Sequence, residues 1–258
     1  MSKTILVLGA GTGGIITAKE LSKKVGGNTK ILLFEKEEKN VFAPSLLWLM
    51  VGKRKLKQVY RNTRKIAGEG VEVIIGEIEN VNPEQISITV KGQEYKGDYM
   101  VVSLGVEQIT EHNLNQYGHD FYTLEGATKF NEQLQHFKGG KIAVLVSALP
   151  FKCPAAPYEA TMLVESFIRK KGLTNKTEVS LYVPEPGPMG VAGKELSGAV
   201  RQMVEMKGIK YFPEHQVSAV TENTLTFSNG KTADYDLMTF TPKHQCPKVI
   251  KETALVGQ

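Results

Sequence analysis

The hydrophobic pattern at the start of the chain predicts a strand, a helix and a second strand. The run "TILVL" at residues 4–8 contains mostly apolar side chains, as is typical of a parallel strand covered on both faces. Apolar residues then recur at helical spacing until Gly26 and Gly27 end the stripe. The members of that stripe are Ile15, Ala18, Leu21 and Val25. The run "KILLF" at residues 30–34 predicts the second buried strand.

Three glycines in the spacing G-x-G-x-x-G join the first strand to the helix. Gly9 permits the tight turn, Gly11 lets the backbone approach a pyrophosphate, and Gly14 allows the helix to pack closely on the strand. The helix N-terminus offers free N–H groups to a phosphate. Glu35 ends the second strand 21 residues past Gly14, and its carboxylate can accept a hydrogen bond from a ribose hydroxyl. The segment therefore predicts a dinucleotide site that suits FAD or NAD better than NADP.

The polar and apolar pattern repeats itself along the chain. The stretch that begins at Gly70 returns at Gly208, an offset of 138 residues, and each copy predicts a β-meander followed by a buried strand. The same offset places "KTILVL" from Lys3 on "KIAVLV" from Lys141. We therefore predict an α/β fold of two Rossmann-like dinucleotide-binding units, each with an antiparallel β-meander insert. The predicted division is a first unit at 1–110, a second unit at 111–244, and a return segment toward the first unit at 245–258.

The second unit carries no copy of the glycine pattern. By the offset of 138, the three glycines map onto Ser147, Leu149 and Lys152. The segment "LPFKCPAAPYEA" stands there instead, and its prolines cannot supply the amide groups that cradle a pyrophosphate. The sequence therefore argues against a second nucleotide in the usual pose.

A cysteine occupies that segment. Cys153 precedes Pro154 and Pro157, which suit the start of a helix, and a thiol at a helix N-terminus beside Lys152 should be more nucleophilic at neutral pH. The alternative is that Cys153 is a small buried residue, and the residues alone leave both interpretations open. Cys246 is predicted to be a loop cysteine, and a disulfide between the two cysteines also stays open.

Composition and charge narrow the class of protein. The chain of 258 residues has a net charge of +5, is 41% hydrophobic and 23% charged, and this balance is typical of a soluble globular protein. We find no nucleic-acid motif, no apolar run of transmembrane length and no secretory signal, and we expect a cytoplasmic protein that binds no nucleic acid. Peripheral attachment to a membrane stays open. The five histidines show no metal-ligand spacing, so we expect no metal and assign them to surface or packing positions.

The succession of motifs resembles the sulfide:quinone oxidoreductases and the flavoprotein subunit of flavocytochrome c sulfide dehydrogenase. These are FAD-dependent proteins of the pyridine nucleotide-disulfide oxidoreductase type. The matching stretches cover essentially the whole chain in the family's order, and the most diagnostic are the Phe-x-Pro-Ser loop and the Cys-Pro-x-x-Pro-Tyr-Glu segment. They read "LVLGAGTGGIITAKEL", "LLFEKEEKNVFAPSLLWLMVG", "DYMVVSLG", "FKCPAAPYEA" and "YVPEPGPMG".

The resemblance implies FAD as cofactor, bound by the first unit, with its ring between the two units. It implies that sulfide or a small sulfur compound is oxidised through a persulfide at Cys153, the catalytic residue beside the flavin, and that a quinone or other acceptor takes the electrons. The implied cofactor-binding residues are Gly9, Gly11, Thr12, Gly13, Gly14, Glu35 and Lys36, with Ile78 beside the adenine and Pro44, Ser45 and Gly105 near the cofactor.

Departures from the family pattern keep other functions open. Family members continue past this point with a second FAD motif, a strand that ends in Gly-Asp, whereas Gly97-Asp98 here belongs to the first meander. We therefore expect a truncated or split form. One alternative is an NAD(P)H-dependent flavoprotein reductase such as a type II NADH dehydrogenase, which needs a glycine-rich loop at 147–152. Another is a non-catalytic flavoprotein-like subunit that needs a partner chain, and homo-oligomer formation also stays open.

Overall fold

The computed structural model describes residues 2–256. Its strands are β1 (Lys3–Leu8), β2 (Thr29–Glu35), β3 (Lys39–Val41), β4 (Tyr60–Asn62), β5 (Val71–Ile75), β6 (Ile78–Asn82), β7 (Ser87–Val90), β8 (Gln93–Lys96), β9 (Tyr99–Val102), β10 (Glu107–Ile109), β11 (His119–Asp120), β12 (Gly140–Val146), β13 (Thr177–Tyr182), β14 (Lys210–Phe212), β15 (Val217–Val220), β16 (Thr224–Phe227), β17 (Thr232–Asp234), β18 (Leu237–Thr241) and β19 (Lys243–Gln245). Its helices are α1 (Thr12–Lys24), α2 (Leu46–Met50), α3 (Thr63–Ala67), α4 (Leu114–Tyr117), α5 (Leu124–His136), α6 (Ala156–Lys170), α7 (Lys194–Glu205) and α8 (Lys248–Lys251).

The chain folds into two units. The first contains the residues up to Val41, Tyr60–Glu107 and the residues from Cys246 onward, and the second contains Phe42–Val59 and Gln108–Gln245. This grouping differs from the predicted first unit at 1–110, which included residues 42–59. The physical reason is α2, whose buried leucines pack against α5 and α6 of the second unit. A short apolar run carries no signal for which core it joins.

The first unit is built on a four-stranded parallel sheet in the order β5-β2-β1-β9. Ile5 in β1 lies opposite Ile31 in β2 and Tyr99 in β9. One face of the sheet packs on α1 through buried Ala18, and the other is covered by the meander β6-β7-β8 through Ile88. Because both faces are covered there, the central strands β1 and β2 are apolar without alternation, as predicted.

The second unit repeats this plan. Its five parallel strands follow the order β14-β13-β12-β18-β11, and the meander β15-β16-β17 packs its buried Leu225 and Phe227 on one face of the sheet. Helix α6 lies on β12 and β13 with Val164 and Ile168 fully or almost fully buried. The predicted fold class, two Rossmann-like α/β units with meander inserts, is confirmed.

Strand register corrects one detail of the predicted repeat. Ile5 lies opposite Tyr99 in the first unit, and Ile142 lies opposite Leu237 in the second. The last strands are thus 138 residues apart, but the first strands are only 137 apart. With this correction, Gly9 corresponds to Val146, Gly11 to Ala148 and Gly14 to Phe151. These residues replace Ser147, Leu149 and Lys152 in the comparison. The slip was invisible in the sequence because Lys3 and Lys141 matched by coincidence, and the conclusion that the glycines are lost is unchanged.

Candidate functional site

The glycine turn between β1 and α1 has two glycines that packing requires and one that it does not. A Cβ on Gly14 would lie 1.8 Å from the carbonyl oxygen of Gly9, and a Cβ on Gly9 would lie 2.4 Å from that of Ser103. Gly9 also has a φ of +93°, which favours glycine. A Cβ on Gly11 would meet nothing within 4 Å. The turn is therefore tightly packed at Gly9 and Gly14 but has free space at Gly11, as a closely bound ligand requires.

The N-terminus of α1 adjoins this opening. Thr12 is its first residue, Gly11 provides no side-chain cap, and the first turn contains no acidic residue. The N–H groups of Thr12, Gly13 and Gly14 therefore have no intrahelical partner, and the positive end of the helix dipole faces no carboxylate of its own first turn. These features fit a pyrophosphate.

Glu35 lies against the same turn. Its Oε2 accepts a hydrogen bond from the backbone N–H of Ala10 at 2.7 Å, and its Oε1 accepts one from the N–H of Lys36 at 2.7 Å. Each carboxylate oxygen keeps acceptor capacity for a ribose hydroxyl. The Lys36 ammonium pairs with exposed Glu77 at 2.9 Å rather than with Glu35. The turn, the helix start and this acid together fit the ADP half of FAD.

Three further residues border this region. Asn40 donates from Nδ2 to the carbonyl of Ala10, a contact that the sequence gave no signal for because the two lie 30 residues apart. Ile78 begins β6 and is half-buried. Its segment lies beside Glu35, since the N–H of Gly76 donates to the Glu35 carbonyl at 2.8 Å.

Gly105 follows β9 in the first unit. It has a φ of +73°, and a Cβ there would meet nothing within 4 Å. It comes two residues after Ser103, whose Oγ would lie 2.8 Å from a Cβ on Gly13. The structure thus brings the glycine turn, Glu35 and the segment that leads to Gly105 together within the first unit.

Pro44 and Ser45 belong to the second unit. They lie in a short turn, Ala43–Ser45, before α2. Ser45 is buried, and its Oγ accepts a hydrogen bond from Nη1 of Arg54 at 2.7 Å. The half-exposed ring of Trp48 lies under Lys53, whose Nζ is 5.0 Å from the ring centroid. The hydrogen bond from Arg54 thus holds the buried Ser45 side chain, while Trp48 and Lys53 lie at the surface.

Cys153 is exposed, which removes the alternative of a small buried residue. Its carbonyl accepts a hydrogen bond from the N–H of Ala156, the first residue of α6, at 2.9 Å, and Pro157 follows in the first turn as predicted. The φ of Cys153 is +61°. For a residue with a Cβ, this left-handed conformation costs about 1–2 kcal/mol, so neighbouring contacts must hold it.

Sequence reasoning missed two residues that provide such contacts. The hydroxyl of Tyr122 donates to the carbonyl of Lys152 at 2.8 Å, and Nδ1 of His244 lies 2.9 Å from the N–H of the same residue. Their rings meet edge to face at 4.8 Å. Burial, and then the charge of Lys152, lowers the pKa of His244 to about 4, while burial, and then the electrostatic influence of the nearby Cys153, raises the pKa of Tyr122. Our assignment of His244 to a surface or simple packing position was therefore incomplete.

Other chemistry is limited in the part of the chain that the structure describes. Cys153 and Cys246 are both free, so no disulfide joins them, and half-buried Cys246 packs against the core of the first unit. Within residues 2–256, no three His, Cys, Asp or Glu side chains come close enough to hold a metal ion. Over the same residues, no helix has both the length and the apolar character needed to cross a bilayer.

The two units, the glycine turn and Glu35 at the end of β2 define the class, a two-unit α/β protein with the features of a dinucleotide-binding site. The sequence model of the pyridine nucleotide-disulphide oxidoreductases matches residues 3–241, and the chain belongs to this family. Its members and the relatives described next are FAD-binding flavoproteins, and the residues of the first unit fit that cofactor.

Similar proteins sharpen this assignment. The chain is 25% identical to the mitochondrial sulfide:quinone oxidoreductase of Mus musculus over 96% of its own length and 58% of that protein, and 26% identical to the Dictyostelium discoideum enzyme of the same name over 97% and 58%. The solved sulfide:quinone oxidoreductase of Aquifex aeolicus superposes with a TM-score of 0.85 at 23% identity, covering 97% of this chain and 61% of that one. The resemblance read from the motifs is confirmed. The chain spans about 60% of the length of these relatives.

Proposed function

We propose that this chain acts as an FAD-dependent oxidoreductase of the sulfide:quinone oxidoreductase type. It oxidises sulfide or a related small sulfur compound at Cys153 and passes the electrons to a quinone or other acceptor. The proposal rests on the loop between β12 and α6 of the second unit. An exposed cysteine at a helix start stands there in place of a nucleotide-binding turn. The similarity to proteins named sulfide:quinone oxidoreductase supports it.

In this proposal the first unit holds the cofactor. Gly11 and the uncapped start of α1 bind the pyrophosphate, and Glu35 accepts from the ribose hydroxyls. Ile78 flanks the adenine, Lys36 and Gly105 border the site, and Pro44 and Ser45 approach the cofactor. When bound, FAD supplies an acceptor for two electrons.

Cys153 supplies the sulfur nucleophile. Its exposure lets a hydrosulfide ion reach Sγ. A thiolate and a hydrosulfide ion form one S–S bond, which leaves a persulfide on Cys153 and releases one proton and two electrons. The two electrons pass to the quinone or other acceptor, and the proton leaves to solvent. The residues do not favour an NADH-using reductase, because Val146, Ala148 and Phe151 stand where its glycines would be needed.

Anaerobic reduction of the FAD-loaded protein tests the proposal. We expect sulfide, but not NADH, to bleach the flavin absorption band, and we expect Cys153→Ala to abolish the bleaching while it keeps the flavin. Cys246→Ala is the matched control and should behave as the wild type, since this thiol packs against the core. Bleaching by NADH alone, or undiminished bleaching by sulfide in Cys153→Ala, would contradict the proposal. A protein that binds FAD but reacts with neither donor would favour the non-catalytic subunit.

A further inference from the structure

We propose that Tyr122 and His244 are positioning residues that hold the backbone of Lys152 and thereby fix the thiol of Cys153. This inference rests on the proposed role of Cys153. It concerns two residues that lie outside the sequence motifs and contact the residue next to Cys153, and it assigns them a purpose in the reaction.

Both hydrogen-bonding groups of the Lys152 backbone are bound by side chains. The Tyr122 hydroxyl donates to the carbonyl at 2.8 Å, from a position 30 residues earlier in the chain. The N–H donates to Nδ1 of His244 at 2.9 Å, from a position 92 residues later. Two side chains from distant segments that converge on one residue form a clamp, which we call the Lys152 clamp.

The clamp is itself held in place. His244 is almost fully buried, and its backbone N–H donates to the carbonyl of Pro150 at 2.9 Å. The backbone of His244 therefore also binds the loop that carries Lys152. The edge-to-face contact with Tyr122 at 4.8 Å fixes the imidazole ring. Because Nδ1 accepts from Lys152, the neutral ring carries its proton on Nε2, and among the described residues no atom accepts from Nε2.

The clamp explains how an unfavourable backbone conformation persists at Cys153. The residue before Cys153 is held on both sides of its backbone, and the carbonyl of Cys153 is held by Ala156 at 2.9 Å. A left-handed φ at a residue with a Cβ persists only when its surroundings determine it. Bonds immediately before and after Cys153 provide that determination. Without them we expect the residue to relax and the thiol to leave its fixed, exposed position.

Hydrogen exchange at the Lys152 amide tests the clamp directly, without FAD or sulfide. We expect His244→Leu to speed exchange by about tenfold or more, since the acceptor is lost, and His244→Asn to restore protection, because its Oδ1 can replace Nδ1. Tyr122→Phe should speed exchange in the same peptide. Tyr235→Phe is the matched control: its hydroxyl donates to the Thr221 carbonyl at 2.6 Å, away from this loop. Exchange in Tyr122→Phe and His244→Leu that equals exchange in Tyr235→Phe would overturn the proposal.

Sulfide-driven flavin reduction then tests the link to the reaction. We expect the limiting rate in Tyr122→Phe and His244→Leu to fall by about tenfold or more, with FAD affinity unchanged and partial recovery in His244→Asn. Faster exchange with an unchanged limiting rate would overturn the positioning role. If the wild type shows no sulfide reaction while exchange responds as expected, the Lys152 clamp is supported and the proposed function fails. Tyr122→Phe removes one oxygen only, so the test does not depend on a variant with a disturbed fold.

Discussion

The carboxylate of Glu35 accepts a hydrogen bond from the backbone N–H of Ala10 at 2.7 Å. The acid at the end of β2 is thereby joined to the middle of the glycine turn, although 25 residues separate them in the chain. One side chain thus supports the shape of the turn and keeps acceptor capacity for a ribose. This double role makes Glu35 the most informative residue to change in the first unit.

Replacement of Glu35 by Ala should weaken FAD binding by about 10- to 100-fold. The change removes a charged acceptor, and hydrogen bonds to charged groups contribute about 1.5–3 kcal/mol. Fluorescence titration of the apoprotein with FAD measures the effect. Glu94→Ala is the control, because Glu94 is exposed and pairs with the Lys96 ammonium in β8. Equal FAD affinity in the Glu35 and Glu94 variants would remove Glu35 from the site.

Alanine at Gly14 and at Gly11 should have different effects. At Gly14 the added Cβ would lie 1.8 Å from the Gly9 carbonyl oxygen, so helix and strand must separate, at a cost of about 1–3 kcal/mol or more. At Gly11 the Cβ meets nothing within 4 Å, so stability should change little while FAD affinity falls. Thermal unfolding of both apoproteins, followed by FAD titration, checks the pair. An unstable Gly11→Ala apoprotein would show that packing, and not the ligand, requires this glycine.

The stability of the second unit should depend on pH through His244. Burial, and then the charge of Lys152, lowers the pKa of His244 from 6.5 to about 4 in the folded state, while Tyr122 stays neutral beside it. The neutral ring therefore contributes its full stabilisation above pH 6.5 and loses it as the pH falls toward 4. The contribution is on the order of 2–3 kcal/mol.

Urea unfolding at pH 7 and at pH 4.5 measures this dependence. The wild type should lose more stability than His244→Asn, which cannot titrate and keeps an acceptor for the Lys152 amide. The difference between the two proteins isolates His244, because all other titrating groups are shared. An identical loss in both proteins would contradict the lowered pKa.

The two thiols should differ in their reactivity toward a disulfide reagent such as dithionitrobenzoate. Cys153 is exposed, whereas Cys246 is half-buried against the core of the first unit. In the native protein we expect one thiol to react at least about tenfold faster than the other, and Cys153→Ala should remove the fast phase. A fast phase that persists in Cys153→Ala and disappears in Cys246→Ala would reverse this assignment.

Local patterns were sufficient to predict the sheets and the glycine turn. A parallel strand buried on both faces is apolar along most of its length, so β1, β2 and β12 were visible as uninterrupted apolar runs. The functions of Gly9 and Gly14 follow from backbone geometry within a few residues. The position of Cys153 before a helix could be read in the same way from Pro154 and Pro157.

Contacts between distant segments could not be predicted in this way. The apolar run of α2 joins the second unit because α5 and α6 offer it a surface, and nothing within residues 42–59 specifies that choice. The one-residue difference between the two first strands appears only in the pairing of Ile5 and Ile142 with their neighbours.

The same holds for the residues around the thiol. His244 and Tyr122 have no motif, and their meeting at Lys152 depends on how β12, β18 and α5 bring their loops together. The sequence by itself determined the buried parallel strands, the meanders, the glycine turn with α1 and the start of α6, because those depend on near neighbours and on which faces are covered. Only the tertiary structure decided which distant side chains hold Cys153, because a hydrogen bond between residues 92 positions apart exists only once the sheet has formed.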